Sequence, residues 1–475
     1  MEGLTAALVL LTAAVDPSQW DEVYPSAVPE DVAAFYQAHG PRPAWTDADG
    51  PVPAADGLVA AVEDALTHGL RPEYYRHRDL VAALNAVRGR TPEELQEAQL
   101  AVARVEALFT TTFLRLAADL QTGRLDADEH HPVWGLRRTF RDPVEILLET
   151  LPDGDSRQVL AGLAPDDPGY RGLREALVRD QRIRDEYRAH GWEVDEALQQ
   201  RIDRLKVNLE RHRWLPRSRP RREIQVELTD FRLRSVENGE TAFEMPIVIG
   251  QPRRATPNFS HRMESIVFSP YWEVPHTIAI WDLLPVFRAD PGQVVERRFT
   301  VLKPPDERGV EVEVDPADVD WTVPPLSFNY RLRQAPHPTN PMGQAKFLFP
   351  NRFFVNIHDT PDRHLLDAEV PAFSAGCIRI RRPLLLASWL LEPQRMDTME
   401  VRGLLNRDEE IEVRVRERTP IHILYRTAWV DEHGVIQYRD DVYGWDAKLL
   451  ARLQGSTPGT GGAPEDEPRS DSGGC

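Results

Sequence analysis

The hydrophobic period of this chain changes once, between Trp214 and Ile224, and the change divides it into two unlike halves. Before it, apolar residues recur at three- and four-residue spacing, as one buried face of a helix requires. Leu58, Val62 and Leu66 form one such stripe, ending at Gly69, a residue suited to close a helix C-terminus. Leu95, Val102, Val105, Leu108, Thr112 and Leu116 predict a longer helix over 92–120, with Pro92 in its first turn. Leu198, Ile202, Leu205 and Leu209 form a third stripe, closing at Trp214-Leu215-Pro216. The basic run Arg217-Ser218-Arg219-Pro220-Arg221-Arg222 then reads as a solvated linker. Beyond it, Ile224-Gln225-Val226-Glu227-Leu228 alternates at the strand period, and Asn238-Gly239 offers a hairpin turn before a run from Thr241 to Ile249. Strand-like pieces return at 310–314 and 353–357, and a helix is predicted for 384–391. A helical half followed by a mostly-β half with minor helices is an α+β, multidomain chain.

Composition narrows the function classes. The 475 residues suffice for two or three domains, and 41% hydrophobic content supports ordinary cores. A formal charge of −19 argues against a nucleic-acid backbone or an anionic membrane surface as partner. Only two cysteines are present, Cys377 and Cys475, too few for a disulfide framework or a Cys-rich zinc site. Met1 to Val15 holds an apolar run too short to span a membrane. It resembles the core of an export signal without the basic start, which reads either as a truncated or misassigned signal segment over 1–20 of an exported chain, the favoured reading, or as a helix. The stretch 455–475 is a low-hydrophobicity, disordered tail.

The chemistry-bearing pair is His358 in Ile357-His358-Asp359-Thr360-Pro361 and Cys377 in Phe373-Ser374-Ala375-Gly376-Cys377-Ile378-Arg379, 19 residues apart. An imidazole beside a thiol can take its proton and raise the thiolate population, making the sulfur a nucleophile. Gly376 permits unusual φ and a close approach of substrate to the backbone, and the amides around Gly376 and Cys377 could donate to a developing oxyanion. Other readings stay open on these residues alone. Cys377 is equally a small buried hydrophobe and His358 a turn residue, and His337, His364, His358 and Cys377 could share a metal, although no zinc-like spacing is present.

The signature of a histidine followed by Ser/Thr-x-Gly-Cys resembles the L,D-transpeptidase (YkuD-type) catalytic domain. Flanking segments are similar to the large YcbB-like subgroup: Tyr271-Trp272, Asn340-Pro341-Met342-Gly343 through Phe347, Phe349-Pro350-Asn351, and Asn208-Leu209-Glu210-Arg211 with Arg213-Trp214. Pro43-Ala44-Trp45 and His68-Gly69-Leu70-Arg71-Pro72 resemble that subgroup's helical scaffold domain. The resemblance implies a scaffold domain over 28–216 and a catalytic domain over 222–425 with a lid at about 283–328. It also implies a C-terminal extension over 426–453 packing on the core, no cofactor or metal, and a periplasmic location without a stable membrane span.

The implied reaction is acyl transfer between peptidoglycan stem peptides, giving 3-3 cross-links, with carbapenem-class β-lactams as covalent inhibitors. The same acyl-enzyme resolved by water would make a carboxypeptidase, and a site without activity would leave a wall-binding scaffold. The resemblance gives Cys377 as nucleophile, His358 as base, the Asp359 carbonyl as partner of the imidazole, and the Gly376 backbone as oxyanion donor. Arg379, Ser374, Tyr271 and Trp272 are the substrate-binding candidates. Three departures accompany it. Ala375 stands where relatives usually carry His or Ser, and Asn356 where they often carry an aromatic. Only Tyr187 to Leu198 occupies the place of a peptidoglycan-binding module.

Overall fold

The computed structural model describes residues 29–455 apart from 41, 48, 127–139, 152–153, 218–219, 305–309 and 408. The signal-like segment and the tail with Cys475 therefore lie outside the described residues. Two compact units result: 29–126, 140–217 and 427–455 form one, and 220–426 the other.

The first unit is helical. Its longest helix, Gln99–Thr122, buries Val105, Phe109, Phe113 and Leu116 along one face, as the stripe requires. The stripe over 92–120 is not one helix, however: Pro92–Glu97 is a separate short helix started by a Thr91/Glu94 capping box, and the chain re-enters helix after Ala98. The 53–64 helix continues as a 3-10 turn and ends at Gly69 in the left-handed conformation. Helices Pro168–Ala189 and Glu196–Arg213 are joined by residues 190–195, so six residues stand where the sequence comparison leaves room for a module.

The Asn-Leu-Glu-Arg segment is structural. Glu210, fully buried, pairs with Arg213 at 2.5 Å and accepts the Leu125 N–H at 2.8 Å, while Arg213 also donates to the Tyr170 hydroxyl and the His68 carbonyl. A buried ion pair persists only with its remaining hydrogen-bond capacity satisfied in this way. Residues 427–455, set apart in the sequence as an extension on the core, join this helical unit. Asn208 bonds both the N–H and hydroxyl of Thr427, and Arg211 pairs with Asp446 at 2.5 Å.

The second unit is built on an eleven-stranded sheet. In chain order its strands and those of its insertion are β1 Arg222–Glu227, β2 Arg232–Glu237, β3 Glu240–Gly250, β4 Phe259–Arg262, β5 Ser265–Phe268, β6 Trp272–Glu273, β7 Phe299–Leu302, β8 Glu313–Val314, β9 Arg331–Gln334, β10 Ala345–Leu348, β11 Ile357–His358, β12 Ala372–Ser374, β13 Ile378–Ile380, β14 Ile411–Arg414 and β15 Pro420–Leu424. The main sheet runs β14-β5-β10-β11-β13-β3-β2-β1-β15-β4, with β12 added along β3. Most pairs are antiparallel; β11–β13, β15–β1 and β12–β3 are parallel. The β2–β3 hairpin turns at Asn238 and Gly239, both at positive φ, as the sequence predicts. Arg222 is not part of a solvated linker. It is buried, stacks on the Trp389 ring 4.0 Å from its centre and donates to the Trp389 carbonyl.

Between β5 and β10 the chain leaves the sheet and builds a subdomain of its own. Strands β8-β7-β9-β6 form a four-stranded sheet over a separate apolar core that includes Phe287, Phe299, Trp321, Phe328, Leu332 and Met342. That core reaches from Trp272 to Met342, so the insertion is longer than 283–328.

Candidate active site

His358 closes β11, a strand of two residues held between β10 and β13. The run 353–357, predicted as strand, is mostly irregular because Phe354 takes φ +57°, which no strand accepts. Register sets the site. Lys346 on β10 pairs with His358, and His358 pairs with Arg379 on β13. Paired residues share a sheet face, so a cation stands on each side of the imidazole. Cys377 precedes β13 and lies two residues before Arg379, hence on the same face by alternation. Asn356, two residues before His358, faces it. The intervening Ile357 and Ile378 are fully buried and point the other way, into the core.

The histidine is fixed and neutral. Its Nδ1 donates to the Asp359 carbonyl at 2.6 Å, which places the proton on Nδ1 and leaves Nε2 as the basic nitrogen. Burial pushes the imidazole pKa down to about 3, and the Arg379 guanidinium and Lys346 ammonium push the same way. The carbonyls of Asp359 and Pro341 favour the charged ring but do not offset burial. Asp359 is itself anchored by its carboxylate, which accepts the Gln344 N–H at 2.9 Å and pairs with Arg363 at 2.5 Å.

The sulfur of Cys377 is buried and accepts the Asn356 N–H at 3.4 Å. Its backbone is shaped by a clip. Ser374 Oγ donates to the Cys377 carbonyl at 2.6 Å and accepts the Gly376 N–H at 3.1 Å. Thr256 Oγ1 donates to the Gly376 carbonyl at 2.9 Å and accepts the Gly250 N–H at 2.8 Å, fastening the turn to the end of β3. Gly376 sits at φ +124°, where a side chain would be strained.

These contacts revise three of the expected roles. The Gly376 N–H, expected as an oxyanion donor, is occupied by Ser374. Ser374, expected against substrate, is 2% exposed and spends its hydroxyl on the turn. Trp272 lies in the core of the insertion against Phe299, whereas Tyr271 beside it is exposed. Arg379 has a buried Nε without a hydrogen-bond partner among the described residues, and Asp362 is 3.8 Å from the guanidinium.

Lys346, Thr256 and the side chain of Asn356 are the members the sequence does not single out as chemistry. Asn356 is 6% exposed, with an Oδ1 that has no partner among the described residues. Among the described residues no cluster of His, Cys, Asp and Glu is arranged to hold a metal, and no helix is long and apolar enough to cross a membrane.

Known proteins match both units. Residues 221–423 match the model of the L,D-transpeptidase catalytic domain (YkuD), and residues 30–177 that of the Scaffold domain. A Haemophilus influenzae protein named "Putative L,D-transpeptidase" is 30% identical over 246 residues, which is 52% of this chain and 48% of that protein. The chain thus spans about half the length of this curated relative. Among solved structures, Mycobacterium tuberculosis L,D-transpeptidase 1 is 14% identical with a TM-score of 0.18, covering 43% of this chain and 61% of that one. The catalytic domain of the E. faecium L,D-transpeptidase is 15% identical with a TM-score of 0.17, covering 44% of this chain and 100% of that one. The chain carries an L,D-transpeptidase catalytic domain (YkuD) preceded by a Scaffold domain.

Proposed function

We propose that Cys377, as the reduced thiol, performs two-step acyl transfer on peptidoglycan stem peptides in the periplasm, joining two stems in a 3-3 cross-link. The observation that carries this reading is the clamped His358, whose Nδ1 holds its proton against the Asp359 carbonyl, one strand away from Cys377. In the first step the sulfur attacks the carbonyl of the diamino acid in a tetrapeptide as Nε2 takes the thiol proton. An S–C bond forms and the carbonyl oxygen becomes an oxyanion. The proton then passes from His358 to the leaving amine, the C–N bond breaks and the terminal D-amino acid departs. In the second step an amine of another stem attacks the thioester, gives its proton to His358, and the sulfur leaves and recovers it.

The low pKa of His358 bears on how this starts. With the ring neutral before attack, His358 can take the thiol proton as the sulfur adds. A substrate carboxylate paired with Arg379 would cancel one of the two charges that oppose protonation of His358. The same two cations favour the anionic oxygen that forms as the sulfur adds. The insertion leaves the sheet after β5 and returns at β10, whose Lys346 flanks His358, so it is anchored where a lid over the cleft would be.

Product analysis tests the proposal. Incubation with a tetrapeptide donor and a second stem peptide should release the terminal D-amino acid and give the joined product. Release of D-amino acid with tripeptide alone, unchanged by acceptor, would replace the cross-linking reading with the carboxypeptidase one. No release would exclude both.

A further inference from the structure

Phe354 is an exposed residue beside the site with a strained backbone. Its φ of +57° is left-handed, a conformation that glycine and asparagine accept and a bulky aromatic resists. Its ring is 69% exposed, so it is not held there by burial. Its carbonyl oxygen lies 4.0 Å from the Cys377 sulfur, which fixes the residue at the edge of the reacting centre.

What holds it is the side chain of Asn351. The Asn351 Oδ1 accepts the N–H groups of Phe353 and Val355 at 3.1 and 3.2 Å, and Nδ2 donates to the carbonyls of Phe349 and Val355 at 2.8 and 2.7 Å. The Phe354 N–H closes the turn onto the Asn351 carbonyl at 3.2 Å. The neighbouring ring, Phe353, turns inward against Phe259 at 5.3 Å, and Phe354 is thereby left outward. A second exposed aromatic, Phe373, immediately precedes Ser374 of the Cys377 clip and is 47% exposed. Strained, over-determined backbone with an unburied apolar side chain beside a nucleophile is how a binding contact is recognised.

We propose that Phe354 is a substrate-binding residue, laying its ring along the aliphatic part of the donor peptide next to the carbonyl that Cys377 attacks. The polar face bearing Asn356, His358 and Arg379 then takes the amide and carboxylate groups of the same peptide. This deepens the acyl-transfer reading and rests on it.

The test is Phe354→Gly, which relieves the backbone while removing the ring, with Phe354→Asn as a second variant that also suits the left-handed conformation. Three readouts are needed: kcat and KM for a tetrapeptide donor, the thermal midpoint, and the rate at which iodoacetamide alkylates Cys377, followed by the mass of the digested peptide that carries it so that Cys475 does not contribute. The expected result is a KM raised about tenfold, the loss of roughly one good apolar contact, with kcat and alkylation unchanged and the midpoint equal or higher. An unchanged KM in both variants overturns the proposal, as does a fall in alkylation rate parallel to kcat/KM, which would make the loop a support for the sulfur. An inactive wild type removes the acyl-transfer reading and this inference together, whereas an active wild type with indifferent variants removes only the latter.

Discussion

Gly343 stands directly against the carboxylate of Asp359: a Cβ on Gly343 would meet Oδ2 at 2.4 Å, and its φ is +58°. The residue whose carbonyl clamps His358 is thus packed where only hydrogen atoms fit. Gly343→Ala should displace Asp359 and, with it, the imidazole. A shift of about 1 Å at a reacting group costs on the order of 100-fold in rate, so kcat/KM should fall by about that factor. A stability loss of roughly 1–3 kcal/mol should accompany it. Steady-state kinetics and urea unfolding on the same variant measure both, and wild-type kinetics would show that the clamp is not tied to this contact.

His358 should make folding acid-sensitive in a defined window. Its pKa is about 3 folded against the ordinary 6.5, so between those values the unfolded chain binds a proton that the native ring does not. Stability is therefore full above pH 6.5 and lost as pH falls toward 3, by at most about 1.4 kcal/mol per pH unit from this group. His68, in the helical unit, carries a similarly lowered pKa of about 3 and remains in a His358→Asn variant. The difference in slope between wild type and His358→Asn, from denaturant unfolding at pH 7, 5.5 and 4, isolates His358. Parallel slopes would mean that the ring is not buried neutral.

Ser374 should matter through the backbone. Ser374→Ala removes the hydroxyl that bridges the Gly376 N–H and the Cys377 carbonyl, leaving buried groups unpaired at a cost of about 1–3 kcal/mol. Activity should fall with stability, and Ser374→Thr, which keeps the hydroxyl, should restore most of each. A substrate contact would instead raise KM at unchanged thermal midpoint.

Asn356 should trade stability against use. Its Oδ1 is buried without a partner among the described residues, so Asn356→Leu should raise stability by roughly 1 kcal/mol where the pocket accepts the branch. If the amide holds the peptide donor, kcat/KM falls at the same time. A variant both more stable and fully active would remove Asn356 from the site.

Much of this was readable before any coordinates because it is local. The stripes ending at Gly69 and Trp214 and the Asn238-Gly239 turn each fix a helix or hairpin within a few residues. The His–Cys pair stands out through its spacing and flanks. What was not legible depends on register between distant segments. Nothing in the period of residues 345–348 reports that Lys346 will stand beside His358, or that Thr256 will fasten the turn at Gly376. Arg222 reads as one charge of a basic run until Trp389, far along the chain, supplies the ring it stacks on. Ser374 misleads for a related reason: a hydroxyl before a nucleophile suits substrate and backbone equally, and only the geometry of the turn decides.

The identity of the nucleophile is the central claim, and intact-protein mass after exposure to a carbapenem tests it most directly. Reduced wild-type protein should gain the mass of one intact inhibitor, mapped by peptide digestion to Cys377, and Cys377→Ala should gain none while keeping its thermal midpoint. His358→Asn should acylate far more slowly at pH 7. An adduct of equal size on Cys377→Ala, or no adduct on a folded, reduced wild type, would contradict the assignment of Cys377 as the acyl-accepting residue.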